Sequence, residues 1–170
     1  MAVGKIKNLT FLALSIAVVL VGLDFYIKSL VIANIEPFTI HKFIPGILDF
    51  TFVTNDSAAF SIGWGVTGVF TLIQTAAALS LIWYLRKIQT TGWAVMAGVL
   101  LGGITGNLVD RFMRPPFGGI GHVIDYIKIP FNFPIFNLAD CLIVSMMVLT
   151  VLRVLAGHQI GKASKSAADD

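Results

Sequence analysis

Four long apolar stretches separated by polar segments organise this chain. A helix that crosses a bilayer needs roughly 20 mainly apolar residues, and residues 9–32, 66–85, 93–109 and 135–155 meet that need. The second and third lie in charge-free stretches, 57–85 and 88–109; the first is interrupted by Asp24 and Lys28. The pattern predicts a mainly α membrane protein with four transmembrane helices. Residues 33–65 and 112–134 form the two long outer loops. Leu48-Asp49-Phe50-Thr51-Phe52-Val53-Thr54 shows period-two features with β-branched and aromatic residues, which predicts a short strand or hairpin resting on the membrane surface. Pro115-Pro116 and Gly118-Gly119 signal a turn; residues 122–129 then read as extended or as a short amphipathic piece. Residues 1–156 read as a single four-span domain. Residues 157–170 are small and polar and are expected to be a disordered cytoplasmic tail. No internal repeat is evident.

Composition narrows the class. The 170 residues are 56% hydrophobic and only 12% charged, with a mean hydropathy of +0.87. A soluble domain of this length needs a far more polar surface. The net charge of +3 comes without a basic stripe interleaved with aromatics, so nucleic acid is not an expected partner. One cysteine, Cys141, excludes an internal disulfide framework and a cysteine-rich zinc site. Lys5 and Lys7 ahead of an apolar run resemble a signal peptide, but no small-x-small cleavage site follows cleanly, so an uncleaved first span is expected. Lys5, Lys7, Arg86, Lys87, Arg153, Lys162 and Lys165 fall on one side of a four-span topology, against Lys42, Arg114, Lys128 and Arg111 on the other. By the positive-inside rule both termini are cytoplasmic and the long loops face outward.

The candidate chemistry lies on that outer side. Asp125 and Asp140 stand fifteen residues apart, and Asp140 opens the fourth apolar run. An acid inside or at the edge of a membrane is costly and marks a functional site by default. Two acids brought together in a dry place share a proton and activate water. Asn107, Asp110 and Arg111 share one helix face at i, i+3 and i+4; a cation snorkels to water more readily than a neutral amide does, so Asn107 favours a polar site over an interfacial cluster. Gly98, Gly102 and Gly106 recur every four residues, a face that lets another helix approach closely. Asp24 and Lys28 at i, i+4 suit an intrahelical ion pair with a structural role. Asn55-Asp56-Ser57 taken alone reads as a turn or cap. His122 and Asp125 would need a further ligand to hold a metal; the other histidines are His41 and His158, the latter on the opposite side. Metal catalysis is therefore not expected. No Gly-x-Ser-x-Gly or Walker motif occurs. A rival reading is a small proton-coupled transporter, but that predicts acids strung across the bilayer depth, whereas Asp110, Asp125 and Asp140 group at one end.

In order, these pieces resemble one family, the bacterial lipoprotein signal peptidases (signal peptidase II). Asp24-Phe25-Tyr26-Ile27-Lys28 resembles Asp-Gln-x-x-Lys. Asn55-Asp56-Ser57-Ala58-Ala59-Phe60-Ser61 resembles Asn-x-Gly-Ala-Ala-Phe-Ser. Gly106-Asn107-Leu108-Val109-Asp110-Arg111 matches Gly-Asn-x-x-Asp-Arg. Val123-Ile124-Asp125-Tyr126 resembles Val-Val-Asp-Phe, and Phe136-Asn137-Leu138-Ala139-Asp140 matches Phe-Asn-x-Ala-Asp. The resemblance implies a four-helix membrane aspartyl peptidase with a small extracytoplasmic β-cradle and a short outer loop or helix. It implies removal of the signal peptide from diacylglyceryl-modified prolipoproteins, just before the lipidated cysteine, at the outer face of the bacterial inner membrane. Asp125 and Asp140 would be the catalytic pair, and Asn55, Asn107, Arg111 and Asn137 would hold substrate or orient it. Asp24, Lys28 and Asp110 would be structural. Substrate and membrane lipids are the expected partners of a monomer without cofactor or metal. Two residues depart from the pattern. Phe25 stands for glutamine and removes a side-chain hydrogen bond; Ser57 stands for a glycine, which puts the geometry of the cradle at issue.

Overall fold

The structure is a computed structural model that describes residues 3–56 and 66–163. The chain runs α1 (Val3–Asn34), β1 (His41–Ile44), β2 (Leu48–Asn55), α2 (Val66–Tyr84), α3 (Thr91–Met113), β3 (Val123–Lys128) and α4 (Leu138–Leu155). All four helices are long and apolar enough to cross a membrane. They differ in burial, and the difference places them. The most apolar window of α3 is 67% buried, against 17%, 17% and 6% for α1, α2 and α4. α3 is therefore the central helix and the other three pack around it. Exposed Phe11, Val18, Leu72 and Leu152 show the apolar outer faces that a lipid surround requires.

Glycine explains how α3 can be central. A Cβ on Gly98 would stand 2.5 Å from the Ala13 carbonyl oxygen, and one on Gly106 would stand 2.8 Å from Asp24 Oδ2. Gly102 meets Leu20 and Ala17. The four-residue repeat thus faces α1. Gly103, next to that stripe, brings α3 against the first turn of α4, with Ala139 O at 2.7 Å from an added Cβ. Without side chains at these points the backbones approach closely enough to bring buried polar groups on three helices into bonding range.

At one end of the bundle the hairpin β1–β2 is joined by β3 in a three-stranded antiparallel sheet, ordered β1-β2-β3. The expected hairpin is present, and residues 122–129 supply a third strand. Among the described residues the two outer loops contain no helix. In register, Val53 opposes Asp125 and Asn55 opposes Val123. Strand alternation then puts Asn55 and Asp125 on the same face as diagonal neighbours. The fourth helix begins at Leu138, three residues later than the hydropathy predicts. Phe136 is held in an extended bridge with Ile127, and Asn137 caps the helix. Apolar side chains alone do not separate such a strand-like lead-in from the helix that follows.

At the far end, α1 begins, α2 turns into α3 and α4 finishes. Leu9, Ala13, Leu85, Ile88, Trp93 and Ala94 form a buried cluster there. Residues 157–163 begin the segment expected to be a disordered tail. They fold back on the α2–α3 turn, where Gln89 N donates to Gly161 O at 2.7 Å and Tyr84 Oη to Ile160 O at 2.9 Å. Residues 164–170, and Ser57 with the rest of 57–65, lie outside the described residues.

Candidate active site

The sheet end of the bundle gathers nearly every polar group that the sequence singles out. Asp125 lies mid-strand in β3 and is 3% exposed. Asp140 is the third residue of α4. The segment between them is short and pinned twice: Phe136 bridges to Ile127, and Tyr126 Oη accepts from Leu138 N at 3.2 Å. That clamp turns a fifteen-residue separation in sequence into adjacency at one site.

Neutral amides connect the two carboxylates. Asn137 Nδ2 donates to Asp125 Oδ1 at 2.6 Å and to Asn107 Oδ1 at 3.2 Å. Asn107 Nδ2 in turn donates to Asp140 Oδ1 at 2.8 Å. Asn55 Nδ2, from β2, donates to Asp125 Oδ2 at 2.7 Å. Asn137 and Asp140 also form a reciprocal capping box: Asn137 Oδ1 accepts from Asp140 N at 3.0 Å, and Asp140 Oδ2 from Asn137 N at 3.1 Å. The same side chains therefore start the helix and orient its acid.

Beneath this network lies a buried ionic layer. Lys28 is fully buried, and its ammonium reaches Asp24 Oδ2 at 2.7 Å, Asp110 Oδ2 at 2.8 Å and Asn107 Oδ1 at 3.1 Å. An ammonium has three protons to donate, so Lys28 is satisfied. Asp24 Oδ1 accepts from Ala139 N at 3.2 Å, and Asp110 Oδ2 from Ile124 N at 3.2 Å. One lysine thus ties α1 to α3, and through its two acids to α4 and β3. The ion pair expected between Asp24 and Lys28 exists, but as part of a layer that crosses the molecule.

Arg111 is buried on α3, and its Nε donates to Gln74 Oε1 of α2 at 3.3 Å. It is close enough to Asp125, Asp110 and Asp140 for electrostatic interaction. Among the described hydrogen bonds it does not join the amide bridge that Asn55, Asn107 and Asn137 form. Its carbonyl accepts from Gly119 N and Gly121 N, at 3.0 and 2.9 Å. A Cβ at Gly121 would collide with carbonyl oxygens of Asp110, Arg111 and Arg114, so only glycine lets this loop close on the end of α3.

Three contributors were not expected. Arg114 Nε pairs with Asp110 Oδ1 at 2.5 Å, and its guanidinium carbon lies 5.4 Å from the ring centroid of Phe25. The i, i+4 spacing of Asp110 and Arg114 on one helix is a signal that could have found the pair. Gln74, an amide within a charge-free apolar run, is another such signal. The cap from Tyr126 to Leu138 had none, because it depends on where β3 lies. The ring of Phe25 faces a cation where the family pattern has an amide.

Electrostatics follow burial. Asp125 is pushed up to about 6, chiefly by loss of water; the Asn55 and Asn137 amides work against that, and the charge of Asp140 adds to it. Burial also raises the Tyr126 phenol, which keeps its oxygen neutral as the acceptor for Leu138 N.

Four membrane-length helices closing on two amide-linked carboxylates, Asp125 buried and Asp140 half-buried, define a class: a multi-pass membrane protein with an acid-pair site. The model of the family described as signal peptidase (SPase) II matches residues 16–156. The lipoprotein signal peptidase of Leifsonia xyli subsp. xyli (strain CTCB07) is 41% identical over 156 residues, 92% of this chain and 70% of that protein. The one from Mycobacterium leprae (strain Br4923) is 37% identical over 158 residues, 93% of this chain and 78% of that protein. A solved structure described as a bacterial membrane enzyme, by the in meso method at 1.9 Å resolution, superposes with a TM-score of 0.76 at 26% identity. It covers 86% of this chain and 94% of its own. This chain belongs to the lipoprotein signal peptidase family, signal peptidase II, an aspartic peptidase family.

Proposed function

We propose that residues 1–156 form one four-span peptidase domain that removes the signal peptide from diacylglyceryl-modified prolipoproteins. It cuts just before the lipidated cysteine, and Asp125 and Asp140 are its catalytic pair. The observation that carries the assignment of the pair is the amide bridge from Asp125 through Asn137 and Asn107 to Asp140. It holds two carboxylates at one site through neutral amides, and none of the described ion pairs includes either of them.

Charge balance supports a shared proton. Asp24, Asp110, Asp125 and Asp140 face the three cations Lys28, Arg111 and Arg114. One proton on the pair makes the group neutral, and the raised pKa of Asp125 favours holding it. In the reaction the ionised carboxylate takes a proton from water as the water oxygen bonds to the scissile carbonyl carbon. The protonated carboxyl gives its proton to the carbonyl oxygen, so a neutral gem-diol forms and the two acids exchange protonation states. As the gem-diol collapses, one hydroxyl returns its proton to the ionised carboxylate, the other carboxyl protonates the nitrogen, and the carbon–nitrogen bond breaks to release the amine. The acid and base roles belong to the pair as a unit. Asn55, Asn107 and Asn137 orient it, and Arg111 takes a backbone carbonyl of the substrate. No metal or cofactor takes part.

The acid-pair end faces outward from the bacterial cytoplasmic membrane and both termini face the cytoplasm. This is supported by Lys7, Arg86, Lys87, Arg153 and Lys162 at the far end. The protein acts as a monomer.

The test uses detergent-purified protein and a diacylglyceryl-modified peptide carrying the cleavage sequence. Cleavage before the lipidated cysteine is expected with and without chelator. Asp125→Asn and Asp140→Asn should each abolish it in folded protein. Near-normal cleavage by either variant would sink the dyad, and chelator-sensitive cleavage would bring back a metal.

A further inference from the structure

The most apolar window of α2 is only 17% buried, and none of the described ion pairs includes this helix. At the acid-pair end it meets the site through one stripe of polar side chains. Thr67, Thr71 and Gln74 stand at i, i+4 and i+7, so they share a helix face. Thr67 Oγ1 donates to Asp56 O, just past the end of β2. Thr71 Oγ1 lies 2.5 Å from Gly119 O and 3.0 Å from Thr67 O. Gly119 N in turn donates to Arg111 O at 3.0 Å. Gln74 Oε1 accepts from Arg111 Nε at 3.3 Å.

Threonine needs no special reason in such a helix, because its hydroxyl is satisfied by a carbonyl one turn back. Thr75 Oγ1 donates to Thr71 O in this way, at 2.7 Å. Glutamine is different: its amide is costly among apolar side chains, and it lies in a stretch, 57–85, that carries no charge. Arginine only donates, so Gln74 must present its oxygen to Arg111. That contact holds one edge of the guanidinium. The group is planar, so fixing Nε sets the directions in which both Nη nitrogens donate. A carboxylate at position 74 would hold it as well but would offset its charge. The amide oxygen fixes direction and leaves the charge intact, in a side chain only 6% exposed and within electrostatic range of Asp125 and Asp140.

We propose that Gln74 is a positioning residue for Arg111, aiming the guanidinium at a backbone carbonyl of the substrate from the α2 side. The inference rests on the reading that Arg111 takes such a carbonyl. A carbonyl that does not react is held equally in the ground state and in the transition state. Loss of Gln74 therefore weakens substrate binding and spares the chemical step.

Steady-state cleavage of the diacylglyceryl-modified peptide by the full chain in detergent tests this. Gln74→Met keeps the length and loses the amide; KM should rise about tenfold, the effect of one hydrogen bond to a charged group, with kcat within about twofold. Gln74→Asn withdraws the amide by one methylene, should act in the same direction, and decides if Gln74→Met does not fold. Thr75→Val, the next position along α2, should leave KM unchanged. In an Arg111→Gln background Gln74→Met should add nothing; if that background does not turn over, the Gln74 and Thr75 variants decide without it. An unchanged KM in every folded Gln74 variant overturns the inference. So does a fall in kcat at constant KM, an equal rise with Thr75→Val, or an undiminished rise in the Arg111→Gln background. Absence of cleavage by the wild type is a different failure: it removes the peptidase reading, and this inference with it.

Discussion

Asn137 serves two functions with one side chain. Its oxygen caps α4 and its amide nitrogen bridges Asp125 to Asn107. The roles separate by substitution. Both Asn137→Ser and Asn137→Ala leave buried acceptors without the amide donor and should be less stable than wild type, but serine keeps a capping oxygen, so the alanine variant should be the less stable of the two by about 1 kcal/mol. Both lose the amide donors, so cleavage should fall by roughly 100-fold or more in each. Equal stability loss in the two variants would refute the capping role. Asp125 gives a pH prediction. Its folded-state pKa of about 6 lies above the ordinary 3.8, so the fold favours the protonated form. The resulting stabilisation is full below about pH 4 and is lost as pH rises through about 6, by ~3 kcal/mol in all. Thermal unfolding in detergent between pH 4 and pH 7 should show this fall, and Asp125→Asn should flatten it.

At the scale of elements, the first turn of α4 is where neighbouring segments converge. Its leading N–H groups would otherwise be orphans. Tyr126 of β3 accepts from Leu138 N, Asp24 of α1 from Ala139 N, and Asn137 from Asp140 N. The position of Asp140 is therefore set by two other elements as well as by its own helix. Tyr126→Phe removes one acceptor and should cost about 1 kcal/mol, read as a lowered unfolding temperature in detergent. The face between α1 and α3 gives a sharper contrast. A side chain at Gly98 would press on Ala13 backbone, while one at Gly22 meets nothing within 4 Å. Gly98→Val should destabilise by about 3 kcal/mol or more through overpacking. Gly22→Ala should be neutral or slightly stabilising, because alanine favours helix. Side-by-side unfolding curves decide this, and equal effects would contradict the close approach.

Across the whole molecule, the ionic layer on Lys28 is the part most sensitive to a single change. It joins α1, α3 and α4 and, through Asp110 and Ile124 N, the sheet. Lys28→Met leaves Asp24 and Asp110 buried without their shared cation and should cost about 3–5 kcal/mol. Added salt should not restore it, since the pair is shielded from solvent; recovery of the wild-type unfolding temperature in high salt would argue for a surface pair instead. Hydropathy alone determined the four spans, because a bilayer core imposes a length and an apolar composition that any single segment must satisfy by itself. Local spacing likewise exposed a glycine face for close helix packing (though not its partner), the Asp24–Lys28 pair and the acids that collect at one end. The start of α4, the pairing of residues 123–128 with the hairpin and the amide bridge were beyond that reach. They depend on contacts among residues far apart in the chain: Asn55 with Asp125, Asn107 with Asp140, Asp24 with Ala139. Sequence patterns record what each segment buries. Only the folded chain decides which distant partner satisfies a buried polar group, because that choice is made by packing and not by periodicity.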